Sequence, residues 1–456
     1  MRDQQKKQRK EVKKVHVIGA GLAGCEAAWQ IARMGVPVYL HEMKPDKKTP
    51  AHTSGNFAEL VCSNSLRSDR ISNAAGLLKE EMRRLDSLIL RAADAAPVPA
   101  GGALAVDRGA FSKFITEAIQ NDSFITVEHG EAEGLSGFGD DIVIVATGPL
   151  TSEALLDSLY GLLGEKTLHF FDAAAPIIAA ESIDMSKAFF ASRYERGSDY
   201  LNCPMTKEEY DAFYAALTGA ECAEIRDFEI NVFEGCMPVE TMAGRGYETM
   251  RFGPLKPRGI KDPKTGKEPF AVVQLRREDD SGSMYNMVGF QTHLKWGEQR
   301  RVFSMIPGLE KAEFLRYGVM HKNAFIDSPR LLDNAYRLKR ENRIFFAGQI
   351  TGVEGYTESA ASGLLAGITA ACDAFCAEAP VFSNATAIGA LAAYVSNESI
   401  VNFQPMNITY GIMKACDQKI KNKEKRNLYI SERSLEEIEC LKEQQLLPLR
   451  KTAKVQ

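Results

Sequence analysis

The apolar positions of this chain follow two periods. Short, nearly unbroken runs stand at Val15–Ile18, Val36–Leu40, Ile142–Ala146 and Ile344–Ala347. Runs of that length and continuity predict strands buried on both faces, as in a parallel sheet covered by helices. Between them the period lengthens. Leu77, Leu78, Met82, Leu85 and Leu88 recur at helical spacing and predict one amphipathic helix over 73–94. Helical patterns also run from Leu22 to Arg33, from about Gly109 onward, and through small residues from Tyr356 to about Cys376.

The first run feeds directly into Gly19-Ala20-Gly21-Leu22-Ala23-Gly24, and the second ends in an acid, Glu42. Strand, G-x-G-x-x-G turn, helix and acid-terminated strand together read as a dinucleotide-binding β-α-β unit. Gly19 permits the tight turn, Gly21 lets the backbone approach a pyrophosphate, and Gly24 lets helix and strand pack closely. The helix N-terminus would hold the pyrophosphate, and Glu42 is placed to hold a ribose hydroxyl.

A second glycine turn follows the strand Arg343–Ile350. It contains Gly348, Gly352 and Gly355 and opens the helix that starts near Tyr356. A cofactor held at two distant turns suits FAD, whereas an NAD enzyme uses one contiguous unit. Between the two halves, from about Glu181 to Asp327, short alternating runs such as Phe228–Phe233 and Ala271–Leu275 surround one helix near Lys207–Leu217. This is the pattern of an α+β insertion. The expected fold is therefore α/β: a basic arm at 1–14, a Rossmann-like FAD-binding domain in two segments, 15–180 and 329–456, and an inserted α+β domain at 181–328. The last 60 or so residues read as charged helices.

Composition narrows the function classes. Of 456 residues, 45% are hydrophobic and 25% charged, as in ordinary globular proteins, and no apolar run is long enough to span a membrane. The start of the chain lacks the apolar core of a signal peptide, so a cytoplasmic protein is expected. The net charge of -4 argues against a globally basic nucleic-acid binder but leaves room for local basic faces. Two exist: nine basic residues against three acids between Gly244 and Arg277, and six against two in Lys414–Arg426. The arm at 1–14, with seven Lys or Arg against two acids, reads as a solubilising tail in preference to an RNA contact.

Nine cysteines without a C-x-x-C pair exclude a disulfide scaffold. Cys236 stands in a Gly-Cys-Met-Pro turn with Arg245 and Arg251 nearby in sequence, and Cys62 in a Ser-, Asn- and Arg-rich loop with Arg67. Either setting can expose a reactive thiol. Cys25, Cys372 and Cys376 read as core residues, the last two one turn apart on a helix. His293 and His321 read as structural or RNA-contacting, and no metal site is expected. Tyr285, Phe290 and Trp296 beside His293, Lys295, Arg300 and Arg301 suit either base stacking or the edge of an inserted core.

The segments Gly19–Trp29, Phe57–Ser68, Phe233–Gly246, Met250–Lys256, Ala271–Arg277, Met284–Gly297, His321–Pro329, Phe346–Gly363 and Asn407–Ile412 together resemble the folate- and flavin-dependent tRNA uracil-5-methyltransferase family, relatives of the glucose-inhibited-division protein A flavoproteins. The resemblance implies an FAD protein that makes the T-loop 5-methyluridine of tRNA. Its one-carbon donor would be 5,10-methylenetetrahydrofolate, and NADPH or NADH would re-reduce the flavin. It places the functional thiols at Cys62 and Cys236, one to attack uracil C6 and the other to help remove the C5 proton, without dividing the roles. Residues Gly19–Gly24, Glu42, Gly348, Gly352, Gly355 and Tyr356 would hold FAD. Arg245, Arg251, Lys256, Lys419 and Lys421 are candidate RNA contacts. The same chemistry on ribosomal RNA, wobble-uridine modification and a small-molecule flavin oxidoreductase are the competing readings.

Overall fold

Five parallel strands form the centre of the larger core in the computed structural model, which describes residues 13–49, 51–164, 168–173, 175–193, 197–223, 237–318, 320–400 and 403–443. Their order across the sheet is Ile344–Phe346, Ile142–Val145, Val15–Ile18, Val38–Glu42 and Ile125–His129. Val15 lies opposite both Val38 and Ile142, and Ile18 opposite His41 and Val145. Strand order reverses direction beside Val15–Ile18, and open parallel sheets bind ligands at the carboxyl ends of strands where that happens.

Two helices cover this sheet at backbone contact. Leu22–Arg33 lies against Tyr356–Ala374 because small residues line both surfaces. A Cβ on Gly363 would come within 2.1 Å of the Ala23 carbonyl oxygen, and one on Gly367 within 2.7 Å of Ala27 O. The two distant glycine turns thus belong to one rigid layer.

The chain leaves this body through Leu168–Ala173 and returns through Met320–Phe325, which pair antiparallel. Between them lies a six-stranded sheet in the order Phe189–Ala191, Tyr200–Met205, Ala271–Arg277, Met284–Met287, Ile177–Ala179 and Phe314–Arg316. It takes in Ile177–Ala179, ahead of the expected boundary at Glu181. The helix Lys207–Thr218 packs on it, opened by a capping box between Thr206 and Glu209. Leu201, Met205, Phe213, Leu275 and Phe290 form a separate core there.

Several expectations change. The helix expected over 73–94 is two helices, Ala74–Arg84 and Leu88–Ala95. Asp86 breaks it with φ of 63°, and the Ser87 hydroxyl caps the second by accepting the N–H of Leu90. Cys372 and Cys376 do not share a helix face: Cys372 is buried, whereas Cys376 lies beyond the helix end, exposed, with φ of 54°. Among the described residues after 396, only Lys423–Glu443 is helical, so most of the Lys414–Arg426 stretch is irregular. Residues 1–12 of the basic arm, the Phe228–Phe233 run and Cys236 lie outside the described residues, as does the His321 side chain.

Candidate active site

The cleft at the carboxyl ends of the parallel strands is built by the first glycine turn. Gly19 adopts φ of 100°, and a Cβ there would meet Ala146 O at 2.8 Å; a Cβ on Gly24 would sit 1.8 Å from Gly19 O. Gly21 differs. Nothing lies within 4 Å of where its Cβ would be, so the absent side chain leaves open space at the helix N-terminus. Open space at a helix N-terminus suits a pyrophosphate.

The cleft encloses about 1140 Å³ counted out to its open mouth, and Gly19–Ala23, Glu42, Thr147–Ser152, Gly348 and Tyr356 line it. The glycine cradle and the two-segment wall fit FAD. Glu42 accepts the N–H of Ala20 at 2.7 Å and that of Lys44 at 2.9 Å. It therefore braces the turn while also lining the cleft. Gly352 and Gly355 are not among the lining residues. Each has positive φ, and a Cβ would strike the Phe403 ring at 2.4 Å or the Glu358 carboxylate at 2.4 Å. They shape the second turn, while Gly348 and Tyr356 face the cleft.

The loop carrying Cys62 is fastened to this cleft from every side. Ala58 N–H donates to Ala20 O, and Val61 lines the cleft beside Tyr356. The Tyr356 hydroxyl accepts the N–H groups of Cys62 at 2.7 Å and Ser63 at 3.1 Å. Burial, then the nearby Cys62 thiol, raise the Tyr356 phenol and keep it protonated. On the opposite face, Arg108 and Arg316 both donate to the Cys62 carbonyl, at 3.1 and 3.2 Å. Arg276 donates to Ser63 Oγ at 2.7 Å and to Asn64 Oδ1 at 2.8 Å.

These three guanidiniums come from two different cores. Arg108 opens the helix Arg108–Asn121, whereas Arg276 and Arg316 belong to the inserted sheet. The buried Glu278 pairs with Arg108. Burial, with Arg108 adjacent, lowers the Arg316 guanidinium, and its Nε has no hydrogen-bond acceptor among the described residues. The site beside Cys62 therefore carries surplus positive charge. Such a site suits a reaction that develops negative charge. Sequence reasoning missed Arg108, Arg276, Arg316 and Glu278, which are scattered along the chain with no local motif.

Below the loop, Lys79 is fully buried and donates to Leu66 O and Ala75 O, both at 2.9 Å. Burial lowers its ammonium to about 8. Arg67, at φ of 67°, pairs with the buried Glu358 at 2.7 Å. Arg67 also lines a groove with Lys423, Arg426, Thr409 and Tyr410.

The candidate RNA contacts separate by environment. Arg251 stacks over the Phe270 ring at 3.7 Å, donates to Phe270 O and pairs with Glu248. Its guanidinium is thus engaged within the insertion. Arg245, Lys419 and Lys421 are exposed, and Lys256 is half-buried. Tyr285 and Phe290 are buried in the inserted core, whereas Trp296 is 62% exposed and stacks on Tyr317. The structure also gathers Cys222, Glu240 and His293, which are far apart in sequence. Cys25 is buried in the first helix, its thiol donating to Ala20 O.

Comparison with known proteins adds the following. The family profile described as glucose inhibited division protein A matches residues 14–377. The methylenetetrahydrofolate–tRNA-(uracil-5-)-methyltransferase TrmFO of Acetivibrio thermocellus is 62% identical over 92% of this chain and 97% of its own. The protein of the same name from Listeria monocytogenes is 57% identical over 95% and 99%. The solved structure of Aquifex aeolicus GidA superposes with a TM-score of 0.70 at 17% identity, covering 97% of this chain and 74% of that one. That last likeness speaks for the fold alone.

Proposed function

We propose a function from one premise: the chain belongs to the folate-dependent tRNA uracil-5-methyltransferases, and with them to the glucose inhibited division protein A family. It transfers a one-carbon unit from 5,10-methylenetetrahydrofolate to uridine C5 in tRNA, forming 5-methyluridine, with FAD as cofactor and NADPH or NADH as reductant. The finer assignment is the T-loop uridine of the T-arm, methylated in the cytoplasm. No helix among the described residues is long and apolar enough to cross a membrane.

Bound FAD supplies a carrier for the carbon and a source of hydride. The protein's own groups do the rest. Gly19–Ala23 and the following helix N-terminus bind the pyrophosphate, and Gly348 and Tyr356 close the far wall. Uracil C5 becomes nucleophilic only when a thiolate adds at C6. Cys62 and Cys236 share that addition and the later removal of the C5 proton. Enolate charge then develops on the pyrimidine, and the surplus guanidinium charge of Arg108, Arg276 and Arg316 beside Cys62 favours it. The groove of Arg67, Lys423 and Arg426 suits the RNA backbone.

The observation that carries this reading is the Cys62 loop fastened through Tyr356 to the glycine-lined cleft, in a chain 62% identical to a named family member. The test is in vitro methylation of an unmodified tRNA transcript with FAD, methylenetetrahydrofolate and NADPH. Product is expected from wild type and lost in Cys62→Ala and Cys236→Ala. Full activity of both variants, or product from S-adenosylmethionine in place of folate, overturns the mechanism. A transcript with the T-loop uridine replaced by cytidine, and a ribosomal RNA substrate, test the target.

A further inference from the structure

We infer that Cys222, Glu240 and His293 form a binding site for one divalent transition-metal ion of the zinc type. Their donor atoms lie within 4.8 Å of one another. Backbone pairing, not the cluster itself, assembles the three segments. Cys222 bridges Leu294 antiparallel, Ala223 N–H donates to His293 O at 2.8 Å, and Val239 N–H donates to Gln291 O at 2.7 Å. The donors are therefore delivered to one point by elements that would fold around it regardless.

Two details point to a shared ion. His293 Nδ1 is buried and has no aligned hydrogen bond, although Glu240 Oε1 is 2.5 Å away. The nitrogen and the oxygen already converge on one point, closer than the roughly 3.2 Å that two ligands of a tetrahedral zinc keep, with no proton aligned between them. Glu240 is also oriented as metal-bound carboxylates are, by outer hydrogen bonds. Its Oε2 accepts the Thr292 hydroxyl at 2.8 Å, and its Oε1 accepts the backbone N–H of His293 at 2.9 Å.

The donor set selects the metal. One sulfur, one imidazole nitrogen and one carboxylate oxygen suit zinc-type ions, whereas magnesium and calcium prefer oxygen alone. Zn–S of about 2.3 Å and Zn–N of about 2.0 Å set ligand separations of roughly 3–3.5 Å in a tetrahedral site, so an ion would draw donors now within 4.8 Å of one another onto one centre. Entry parts the short His293–Glu240 contact. It also exchanges the Cys222 S–H bond for an S–metal bond and releases the proton to solvent. Thiolate and carboxylate then balance the two charges of the ion, with a fourth position left for water. None of the three residues lines the large cleft. Cys222 and Glu240 flank residues 224–236, the stretch containing Cys236, so the ion would tether both flanks of that stretch to Gln291–Leu294.

The test uses full-length, flavin-loaded protein stripped with a chelator, then dialysed against micromolar zinc and analysed for metal content and chelator competition. One zinc per chain is expected. Affinity should fall at least about tenfold in Cys222→Ser and in His293→Gln, with flavin content reporting that each variant is folded. Zinc-edge X-ray absorption on wild type, which needs no variant, should show one sulfur among nitrogen and oxygen ligands. No zinc retained by wild type, equal retention in folded variants, or a first shell with no sulfur or several sulfurs would each reduce the cluster to a plain ion pair.

Discussion

The hydroxyl of Tyr356 takes the backbone N–H of Cys62 at 2.7 Å, joining the first turn of the second cofactor helix to the loop that carries the thiol. Tyr356→Phe keeps the ring in the cleft wall but leaves the N–H groups of Cys62 and Ser63 without their acceptor. Losing an acceptor costs a buried N–H about 1–3 kcal/mol and these half-buried groups less, enough to loosen the position of the loop. The expected result is normal flavin content with methylation slowed at least about tenfold in single-turnover assays. Wild-type rates would show that the loop is held well enough without this contact.

Gly21 and Gly24 should fail in different ways. Gly21→Ala adds a methyl to open space at an ordinary φ of -76°, so the protein should fold and lose FAD affinity, about 1.4 kcal/mol or more for a tenfold loss. Gly24→Ala drives a methyl into Gly19 O at 1.8 Å and should destabilise the fold itself by at least about 1–3 kcal/mol. Flavin titration together with thermal unfolding separates the two effects.

Glu278 is the buried carboxylate among Arg108, Arg276 and Arg316. Glu278→Gln leaves those guanidiniums uncompensated, and removing one partner of a buried ion pair costs about 3–5 kcal/mol. Denaturant unfolding should register a loss of that size, larger than the loss from Glu278→Gln combined with Arg108→Gln.

Lys79 gives stability a pH dependence on the alkaline side. Burial lowers its ammonium from 10.5 to about 8. Below about pH 8 the folded and unfolded chains both hold the proton, and this group contributes no slope. Between about 8 and 10.5 the unfolded chain retains a proton that the folded chain has released, so stability rises with pH. The full gain is on the order of 3 kcal/mol. It should appear as the difference in pH dependence between wild type and Lys79→Met in parallel urea titrations; superimposable pH profiles would rule it out.

Charge reversal should distinguish RNA contacts from scaffold. Lys423→Glu with Arg426→Glu should weaken tRNA binding and reduce its salt dependence by about two counterions, without changing the melting temperature. Arg251→Glu should instead lower the melting temperature, because its guanidinium is committed to Phe270 and Glu248. Filter binding across a salt series and calorimetry would check both.

The sequence by itself determined the parallel core and the glycine turn. Val15–Ile18 can be read as a buried strand, and Gly19–Gly24 as a phosphate cradle, because both are local devices whose geometry depends on neighbours in the chain. It also marked Cys62 and Tyr356 as candidates, though not as partners. Tertiary structure alone decided that partnership. Tyr356 reaches Cys62 only because Gly363 and Gly367 let two helices meet at their backbones, and Arg316 reaches it only because an inserted sheet returns to the parent domain. The same holds for Cys222, Glu240 and His293, and in reverse for Arg251, a basic residue that a ring and a carboxylate occupy. Charge and nucleophile clusters are formed by long-range packing, which leaves no periodic trace in the chain.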